Sequence, residues 1–287
     1  MSISTKLEST NPNTIKALAM DLDGTLLRPG AILSDRTIRA VKNCLQRGLQ
    51  IIIATGRAIE AAERFRQSFG AEGPMVYFNG AVVADMPGTK ILNSAMLDLK
   101  AAEFCVDLAR EMGVVFQVYF HTDERNGSTL LLSEFDCPER EMYYKHTGIL
   151  PELGDIKEAL QRYGTKGCIK TMFLVEPDVQ AVLRPRLIEA LGESVYVVQT
   201  QWNFLEVMDV KASKGKGLKF VMDRLSFKSE EVIAFGDEEN DLPMSGIAGF
   251  FVAPLNGKET VKAKADLIAG SNAEDGVAVF LEEFFGL

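Results

Sequence analysis

Short apolar runs that stop abruptly at polar residues are the feature that most limits what this sequence can fold into. Runs over 15–20, 50–54 and 75–78 have the length of strands, and helical patterns over 34–47 and 59–69 separate them. Strands without polar alternation are buried on both faces, and strand–helix alternation is typical of a parallel sheet with helices on each side. The sequence therefore predicts an α/β fold.

A second pattern interrupts this alternation and predicts an inserted domain. Near the end of the chain, an apolar run over 232–235 follows a helical pattern over 218–225, as in the first segment. Between the two segments, neighbouring strand patterns have no regular helix between them, which favours an α+β arrangement with an antiparallel sheet. We predict a split core over 1–82 and 209–287, with an inserted α+β domain over 83–208.

The charge balance and the apolar content limit the partners of this chain. Its 31 Lys and Arg residues face 40 Asp and Glu residues, so no basic surplus is available to neutralise a nucleic acid. No apolar stretch approaches the roughly 20 residues of a membrane span, and the polar start lacks the apolar segment of a secretory signal. The four cysteines are widely spaced, which does not fit a zinc knuckle or a dense disulfide framework. We expect a cytoplasmic protein without nucleic-acid or membrane partners, and the sequence leaves the oligomeric state open.

Polar residues collect where the predicted parallel strands end. In chain order the strand ends read Asp21-Leu22-Asp23-Gly24-Thr25, Thr55-Gly56-Arg57, Asn79-Gly80 and Gly236-Asp237. Ligands of open parallel sheets bind beyond the carboxyl ends of the strands. We therefore expect these four segments to face one crevice.

Asp21 and Asp23 are spaced for work on one substrate atom. Residues two apart in an extended segment point to the same side, and a rise of about 3.3 Å per residue separates their Cα atoms by about 6–7 Å. This gap suits a nucleophile and a proton donor on opposite sides of a phosphorus atom. An ordinary polar turn at Asp23-Gly24 explains the same residues equally well.

The acidic run over 236–241 predicts a magnesium site. Its four acids would stabilise a helix N-terminus, but Asp237 ends a buried strand and is repelled by Asp241 if the segment is helical. Asp21, at a neighbouring strand end, would also repel Asp237 unless a cation lay between them. Hard oxygen ligands with several open positions favour Mg²⁺.

Further groups suit an anion or a ring-bearing ligand, although structural roles explain them as well. Thr55-Gly56-Arg57 is expected to open a helix and to offer a hydroxyl and backbone N–H groups, but an N-cap threonine is common. The spacing does not distinguish Lys214 from Lys216 as an anion-binding lysine. Trp202 and Tyr196 have rings that could stack on a substrate, but packing in the core is the expectation.

Four segments of the sequence, taken in order, resemble the four motifs of the haloacid dehalogenase (HAD) superfamily. They read Asp21-Leu22-Asp23-Gly24-Thr25-Leu26-Leu27, Thr55-Gly56-Arg57, Ser213-Lys214-Gly215 and Gly236-Asp237-x-x-Asn240-Asp241. The large insert, Asn79-Gly80-Ala81 and the segment over 272–277 resemble the Cof-type subgroup (IIB, with a C2B cap). The resemblance covers nearly the whole core and, within the insert, only the architecture. It implies a Rossmann-like core with a cap domain that selects the substrate.

The resemblance also implies an activity and a set of roles. It implies a Mg²⁺-dependent phosphatase that hydrolyses a small phosphorylated metabolite, such as a sugar phosphate, through an aspartyl-phosphate. Asp21 would be the nucleophile, Asp23 the general acid and base, and Lys214 the partner of Asp21 and of the phosphate. The implied phosphate-binding residues are Thr55, Gly56, Arg57, Asn79 and Gly80. The implied magnesium ligands and their supports are Asp21, Asp23 through its carbonyl, Asp237, Asn240 and Asp241.

Two alternatives use the same motifs. A phosphomutase would form the same aspartyl-phosphate and return the phosphoryl group to a sugar. A catalytically silent phosphate-binding regulatory module is the alternative outside enzymes. Such a module would be free to lose its acids and its lysine, yet the sequence retains Asp21, Asp23, Lys214 and Asp237.

The sequence departs from the subgroup at two positions. Met244-Ser245 stands where a Met-Leu pair is usual, and the segment over 253–257 replaces a Gly-Asn turn. Both positions are expected beside the site, so they concern the fit of the substrate more than the chemistry.

Overall fold

A computed structural model describes residues 11–121 and 129–287, without the side chains of residues 165–167. Its strands are β1 (Ala17–Met20), β2 (Gln50–Ile53), β3 (Gly73–Tyr77), β4 (Val82–Met86), β5 (Lys90–Ser94), β6 (Val115–His121), β7 (Thr129–Ser133), β8 (Glu152–Leu153), β9 (Cys168–Leu174), β10 (Val195–Gln201), β11 (Phe204–Asp209), β12 (Val232–Phe235), β13 (Phe250–Pro254) and β14 (Leu267–Ala269). Its helices are α1 (Asp35–Gln46), α2 (Ile59–Phe69), α3 (Leu99–Met112), α4 (Pro138–Thr147), α5 (Ile156–Gly167), α6 (Pro177–Leu191), α7 (Lys214–Leu225), α8 (Leu242–Ser245), α9 (Glu259–Lys262) and α10 (Gly276–Phe285).

The chain divides into two compact units. The first contains the residues up to Gly56, Ala62–Asn93 and Lys214–Leu287, and the second contains Arg57–Ala61 and Ser94–Ser213. These divisions differ from the predicted boundaries after residues 82 and 208. The first boundary differs because β4 pairs antiparallel with β3 and so packs with the first unit. The second boundary differs because the second unit extends to Ser213, just before α7 begins at Lys214.

A five-stranded parallel sheet forms the centre of the first unit. Its strand order is β14-β13-β12-β1-β2, and every residue of β1 is buried. In the register of this sheet, Met20 lies opposite both Phe235 and Ile53. The segments that follow these three strands therefore start at one edge of the sheet, as the sequence predicts.

The helix that follows β1 begins where the sequence predicts. The Oγ of Ser34 accepts a hydrogen bond from the amide of Thr37 at 3.1 Å, which makes Ser34 the N-cap of α1. Val41 and Cys44, one turn apart, are fully buried against the sheet side. Gly48 takes a φ of +84° after the helix, a left-handed conformation that glycine adopts without a steric cost.

The second unit contains a six-stranded sheet with the order β10-β11-β9-β6-β7-β8. Its pairs are antiparallel except for β7 with β8. One face of this sheet packs on α3, α5 and α6 through a buried apolar cluster that includes Cys105, Phe120, Phe173, Leu160 and Leu183. Antiparallel strands with helices on one face give the α+β arrangement expected of the insert.

The four cysteines are free, and three of them, Cys44, Cys105 and Cys168, are buried. Within 11–121 and 129–287, no helix combines the length and the apolar character that a membrane crossing requires.

Candidate active site

Asp21 and Lys214 meet at the edge of the parallel sheet. Asp21 is the first residue after β1, and its amide donates to the carbonyl of Phe235 at 3.1 Å, which extends the sheet register by one residue. Lys214 is the first residue of α7, and its Nζ lies 2.6 Å from Oδ1 of Asp21. Asp21 and Lys214 are 4% and 1% exposed, whereas Lys216 is exposed to solvent. The structure thus distinguishes the two lysines that the spacing leaves equivalent.

The turn after β1 brings the first motif against Asp237. The carbonyl of Leu22 accepts the amides of Leu26 and Leu27 at 3.0 and 2.8 Å, and Asp23 is half-buried in this turn. Gly24 has a φ of +75°, and a Cβ there would lie 2.1 Å from Oδ2 of Asp237. A side chain at position 24 would therefore displace Asp237, so this position requires glycine for both its conformation and its contact.

Thr25 holds the carboxylate of Asp237 from the other end of the same turn. Its Oγ1 donates to Oδ1 of Asp237 at 2.7 Å, and Thr25 is 1% exposed. Burial, together with the charge of Asp241, raises the pKa of Asp237 to about 8, and the hydrogen bond from Thr25 opposes that rise. Sequence reasoning missed this role, because Thr25 carries no charge and its partner lies 212 residues away.

Asp241 stabilises the acidic turn instead of simply repelling Asp237. Its Oδ2 accepts the amides of Asp237 and Glu238 at 2.9 and 3.0 Å. Its Oδ1 accepts from Nζ of Lys214 at 2.6 Å, and the side chain is fully buried. The expected helix starts only at Leu242, so these bonds fix a short 3₁₀ turn over Glu239–Asp241.

The charges at this edge of the sheet fit a divalent cation. Oxygen atoms of Asp21, Asp237 and Asp241 lie within 4.8 Å of one another, and all three residues are buried. Burial holds the pKa of Asp21 well above its usual range; Lys214 opposes this effect, and the neighbouring carboxylates add to it. One ammonium does not balance three carboxylates, and an all-oxygen donor set is what Mg²⁺ prefers.

The predicted phosphate-binding segment follows β2 as a bend. The helix α2 begins at Ile59, so the expectation that Thr55-Gly56-Arg57 opens a helix is wrong. The amide of Thr55 donates to the carbonyl of Val76 at 2.9 Å, which joins β3 to this side of the sheet. The carbonyl of Thr55 accepts the amide of Asn79 at 3.0 Å, so the bend is held from both sides.

Asn79 connects this bend to the acidic turn. Its Oδ1 accepts from Nδ2 of Asn240 at 2.8 Å, and both residues are buried. A Cβ at Gly56 would lie 2.9 Å from the same Oδ1. The Oδ1 of Asn240 is buried and has no hydrogen-bond partner in the part of the chain that the structure describes. Gly80 follows Asn79 with a φ of +91° and is buried.

The contact that the structure gives for the Arg57 side chain is with the second unit. Arg57 belongs to the second unit and is 6% exposed, and its Nη2 donates to the carbonyl of His146 at 3.5 Å. The structure thus gives Arg57 a contact with α4, and the expected contact with phosphate stays a prediction.

Residues near the end of the chain hold the turn after β1 in place. Nδ2 of Asn256 donates to the carbonyl of Gly24 at 2.8 Å, and Nδ2 of Asn272 donates to the carbonyl of Leu27 at 2.7 Å. The amide of Asn272 also donates to Oδ1 of Asn256 at 2.9 Å. The segment over 272–277 drew attention only through its resemblance to the Cof-type subgroup, and these bonds show what it does.

Comparisons with known proteins agree with this geometry. A family model described as haloacid dehalogenase-like hydrolase matches residues 18–281. The protein named 5-amino-6-(5-phospho-D-ribitylamino)uracil phosphatase YitU, from Bacillus subtilis, is 29% identical over 280 residues, which cover 94% of this chain and 97% of that protein. The solved structure of the HAD subclass IIB sugar phosphatase BT4131 has a TM-score of 0.80 at 22% identity, covering 95% of this chain and 100% of that one. This likeness confirms the predicted fold class.

One relative is similar to this chain over only part of its own length. The protein named endoribonuclease YBEY, chloroplastic, from Arabidopsis thaliana, is 31% identical over 270 residues. The match covers 90% of this chain and 44% of that protein, so this chain spans less than half of that relative.

Proposed function

The chain belongs to the haloacid dehalogenase-like hydrolase family and is a phosphatase, and we propose that it hydrolyses its phosphate monoester with Mg²⁺ and through a covalent intermediate on Asp21. The observation that carries this proposal is the buried cluster in which Lys214 bonds both Asp21 and Asp241 at 2.6 Å. A fixed ammonium and a buried carboxylate beside the strand end supply charge stabilisation and a nucleophile to one phosphoryl group.

In the first step, Asp21 attacks the phosphorus atom. Lys214 holds Oδ1 of Asp21, so Oδ2 is the atom that forms the new bond. The ester P–O bond breaks, and the carboxyl group of Asp23 gives its proton to the departing oxygen, which leaves as an alcohol. The hydroxyl of Thr55 and the amide of Gly56 bind the phosphoryl oxygens during this transfer.

In the second step, water regenerates the enzyme. The carboxylate of Asp23 takes a proton from a water molecule, whose oxygen attacks the phosphorus atom. The bond between phosphorus and Oδ2 of Asp21 breaks, so the carboxylate is restored and inorganic phosphate leaves. Two displacements of modest difficulty replace one difficult displacement.

The magnesium site of this proposal uses the carboxylates of Asp21 and Asp237 and the carbonyl of Asp23, with Asn240 and Asp241 as supports. Asp241 suits a supporting role because its oxygens already accept from Lys214 and from two backbone amides. When bound, the ion neutralises charge that develops on the phosphoryl oxygens.

The substrate class is a small phosphorylated metabolite. The Bacillus subtilis relative is named for a phosphate whose alcohol carries a uracil ring, and we include such ring-bearing esters with sugar phosphates as candidates. In this proposal the second unit acts as the cap that selects among them.

A screen of phosphate esters tests the proposal. Purified protein with Mg²⁺ should release inorganic phosphate from at least one ester, and a chelator should abolish the release until Mg²⁺ is restored.

Asp21→Asn should remove turnover and form no phosphoenzyme in rapid-quench trapping, because an amide does not attack phosphorus. Asp23→Asn should still form phosphoenzyme from 4-nitrophenyl phosphate, whose leaving group needs no proton. Trapped phosphoenzyme in Asp21→Asn but not in Asp23→Asn would reverse the two roles, and full turnover in chelator would refute the metal site.

A further inference from the structure

The backbone at Asp23 and Gly24 is the least enclosed part of the turn after β1. Both residues are half-buried, whereas the residues around them, 21–22 and 25–27, are buried. Position 24 requires glycine, because a Cβ there would lie 2.1 Å from Oδ2 of Asp237. Glycine restricts its own backbone less than any other residue, so a contact from elsewhere is needed to fix the chain beside Asp23.

The side chain of Asn256 supplies such a contact, and its orientation is defined. Nδ2 of Asn256 donates to the carbonyl of Gly24 at 2.8 Å. Oδ1 of Asn256 accepts the backbone amide of Asn272 at 2.9 Å. Because a backbone amide only donates, this second bond identifies the acceptor atom of Asn256 and directs its NH₂ group toward Gly24.

The loop that carries Asn256 is itself bonded to the acidic turn. The amide of Lys258 donates to the carbonyl of Asp237 at 3.0 Å, and Nζ of Lys258 lies 2.7 Å from Oε2 of Glu238. Two residues before Lys258, Asn256 reaches Gly24 in the turn after β1. This loop of the first unit therefore joins the backbone beside Asp23 to the backbone of Asp237.

The exposure of Asn256 shows that this contact is not part of a core. Asn256 is exposed, whereas Asn272, whose Nδ2 donates to the carbonyl of Leu27 at 2.7 Å, is 7% exposed. A hydrogen bond open to water adds little to the stability of a fold, because water replaces the missing partner. Loss of the Asn256 side chain should therefore leave the protein folded and remove one restraint on Gly24.

We propose that Asn256 is a positioning residue, which holds the carbonyl of Gly24 and thereby keeps the carboxyl group of Asp23 where it transfers protons. The inference rests on the proposed function, in which Asp23 gives a proton to the departing oxygen and later takes one from water. Asn256 acts on the reaction only through Asp23. A well-placed acid or base contributes about 10²–10⁴-fold to a rate, and a small displacement costs part of that factor.

Transient kinetics with 4-nitrophenyl phosphate at saturating Mg²⁺ test the proposal. Its leaving group needs no proton, so release of 4-nitrophenolate reports the attack by Asp21 with little dependence on Asp23. The decay of phosphoenzyme trapped by rapid quench reports hydrolysis, for which Asp23 is the proposed base. Asn256→Ala should leave the attack within about twofold of the wild type and slow hydrolysis by about 10-fold. Equal slowing of both steps would indicate a general disturbance of the site and overturn the proposal.

A double variant tests whether Asn256 acts through Asp23. In Asp23→Asn protein, the addition of Asn256→Ala should not slow hydrolysis of the phosphoenzyme further, because the group that Asn256 positions is already absent. If the two losses multiply, Asn256 acts independently of Asp23 and the proposal is wrong. Asn43→Ala is the matched control, because Asn43 is an exposed asparagine of α1 in the first unit, and it should leave both steps unchanged.

Hydrogen exchange separates this inference from the proposed function. Mass spectrometry of peptides that cover residues 22–28 reports how firmly the turn after β1 is held. These peptides should exchange faster in Asn256→Ala than in the wild type, and at the wild-type rate in Asn43→Ala. If the wild type forms no phosphoenzyme, the proposed mechanism fails, and the exchange still decides whether Asn256 holds the turn. Unchanged exchange in Asn256→Ala would refute the inference.

Discussion

The ammonium group of Lys214 lies 2.6 Å from a carboxylate oxygen of Asp21, although 193 positions separate the two residues in the sequence. Burial by itself would lower the pKa of Lys214, but Asp21 and Asp241 outweigh that effect and raise it above its usual value. The lysine therefore stays charged in a buried place. Because it bonds two acids, it also fixes the distance between the strand end after β1 and the acidic turn.

Replacement of Lys214 should damage both activity and stability. Lys214→Met leaves two buried carboxylates without their partner, so the free energy of unfolding should fall by about 3–5 kcal/mol. The loss of a fixed charge at the phosphoryl group should lower kcat by about 10²–10³-fold. Urea unfolding and phosphate release measure the two effects. Lys216→Met is the control, because Lys216 is exposed one half-turn further along α7; an equal loss there would contradict this assignment.

The contact between Gly24 and Asp237 gives a second prediction. In Gly24→Ala, the new Cβ would lie 2.1 Å from Oδ2 of Asp237, so the carboxylate must move and the proposed magnesium site would be distorted. We expect activity to fall by at least about 10²-fold, in line with the cost of misplacing catalytic groups by about 1 Å. Phosphate release at saturating Mg²⁺ measures this loss.

Gly48→Ala is the control that distinguishes the effect of the contact with Asp237 from the effect of a left-handed backbone conformation. Gly48 has a φ of +84°, but a Cβ there meets nothing within 4 Å. This control should cost about 1–2 kcal/mol of stability through its left-handed backbone and leave kcat unchanged. If the two variants lose the same activity, the contact with Asp237 is not the cause.

The sequence predicts the parallel sheet well because its strands are short, apolar and separated by helices. The edges of the insert were harder to place. The segment over 82–94 forms two strands, β4 and β5, that the sequence analysis does not predict, and a strand pattern alone would not say which sheet they join. Pairing of β4 with β3 decides this, since it brings the segment into the first unit. The expectation that Trp202 packs in the core is wrong, because its side chain is 54% exposed at the turn between β10 and β11. Composition favours burial of a tryptophan, and the position of this turn depends on a hydrogen bond from Gln180 to the carbonyl of Trp202.

In the candidate site, too, the sequence predicts residues that follow a local pattern and misses those that depend on distant partners. Asp21, Asp237 and Asp241 were found because each follows a strand end or repels a neighbour, and both facts are visible in the sequence. Roles that depend on one long-range hydrogen bond leave no local pattern. Thr25 and Asn256 belong to this class, since each reaches a partner more than 200 residues away.

Removal of the Thr25 hydroxyl should weaken Mg²⁺ binding. Thr25→Val keeps the shape of the side chain but loses the hydrogen bond to Asp237, which raises the proton affinity of that carboxylate. Loss of a partner that orients a metal ligand lowers affinity by about 10–100-fold. The Mg²⁺ concentration that gives half-maximal phosphate release should rise by that factor, and Thr25→Ser should restore it. Thr37→Val, at an equally buried threonine in α1, should leave it unchanged.

The cysteines should differ in reactivity. Burial raises the pKa of Cys44 and of Cys105 to about 12, and it raises the pKa of Cys168 as well. Very little thiolate is then present at pH 8, so a disulfide reagent such as DTNB should modify the native protein at Cys137 alone, the one half-buried thiol. Four thiols should react after unfolding. Cys137→Ser should abolish the native reaction, and a persistent reaction in that variant would show that a buried thiol is accessible.

The ion pair of Arg28 with Asp275 should make stability depend on pH. Nε of Arg28 donates to Oδ1 of Asp275 at 2.8 Å. Burial by itself raises the pKa of Asp275, but the hydrogen bonds from Arg28 and Ser34 and the charges of Arg28 and Arg36 outweigh it, so the pKa lies below its usual value. A lowered folded-state pKa adds stability above the unfolded value of about 3.9, and this stability is lost as the pH falls through the folded-state pKa.

Arg28→Met should therefore lower the melting temperature at pH 7, and its difference from the wild type should shrink as the pH falls below about 4. Asp275→Asn is the matched variant, because asparagine tolerates the left-handed conformation that Asp275 adopts, with a φ of 58°. In the Asp275→Asn background, Arg28→Met should lower the melting temperature by an amount that does not change with pH. Melting curves of the four proteins between pH 3.5 and 8 measure these differences. If Arg28→Met lowers the melting temperature of the wild type by the same amount across this pH range, Arg28 stabilises the turn after β1 by packing and not by its charge.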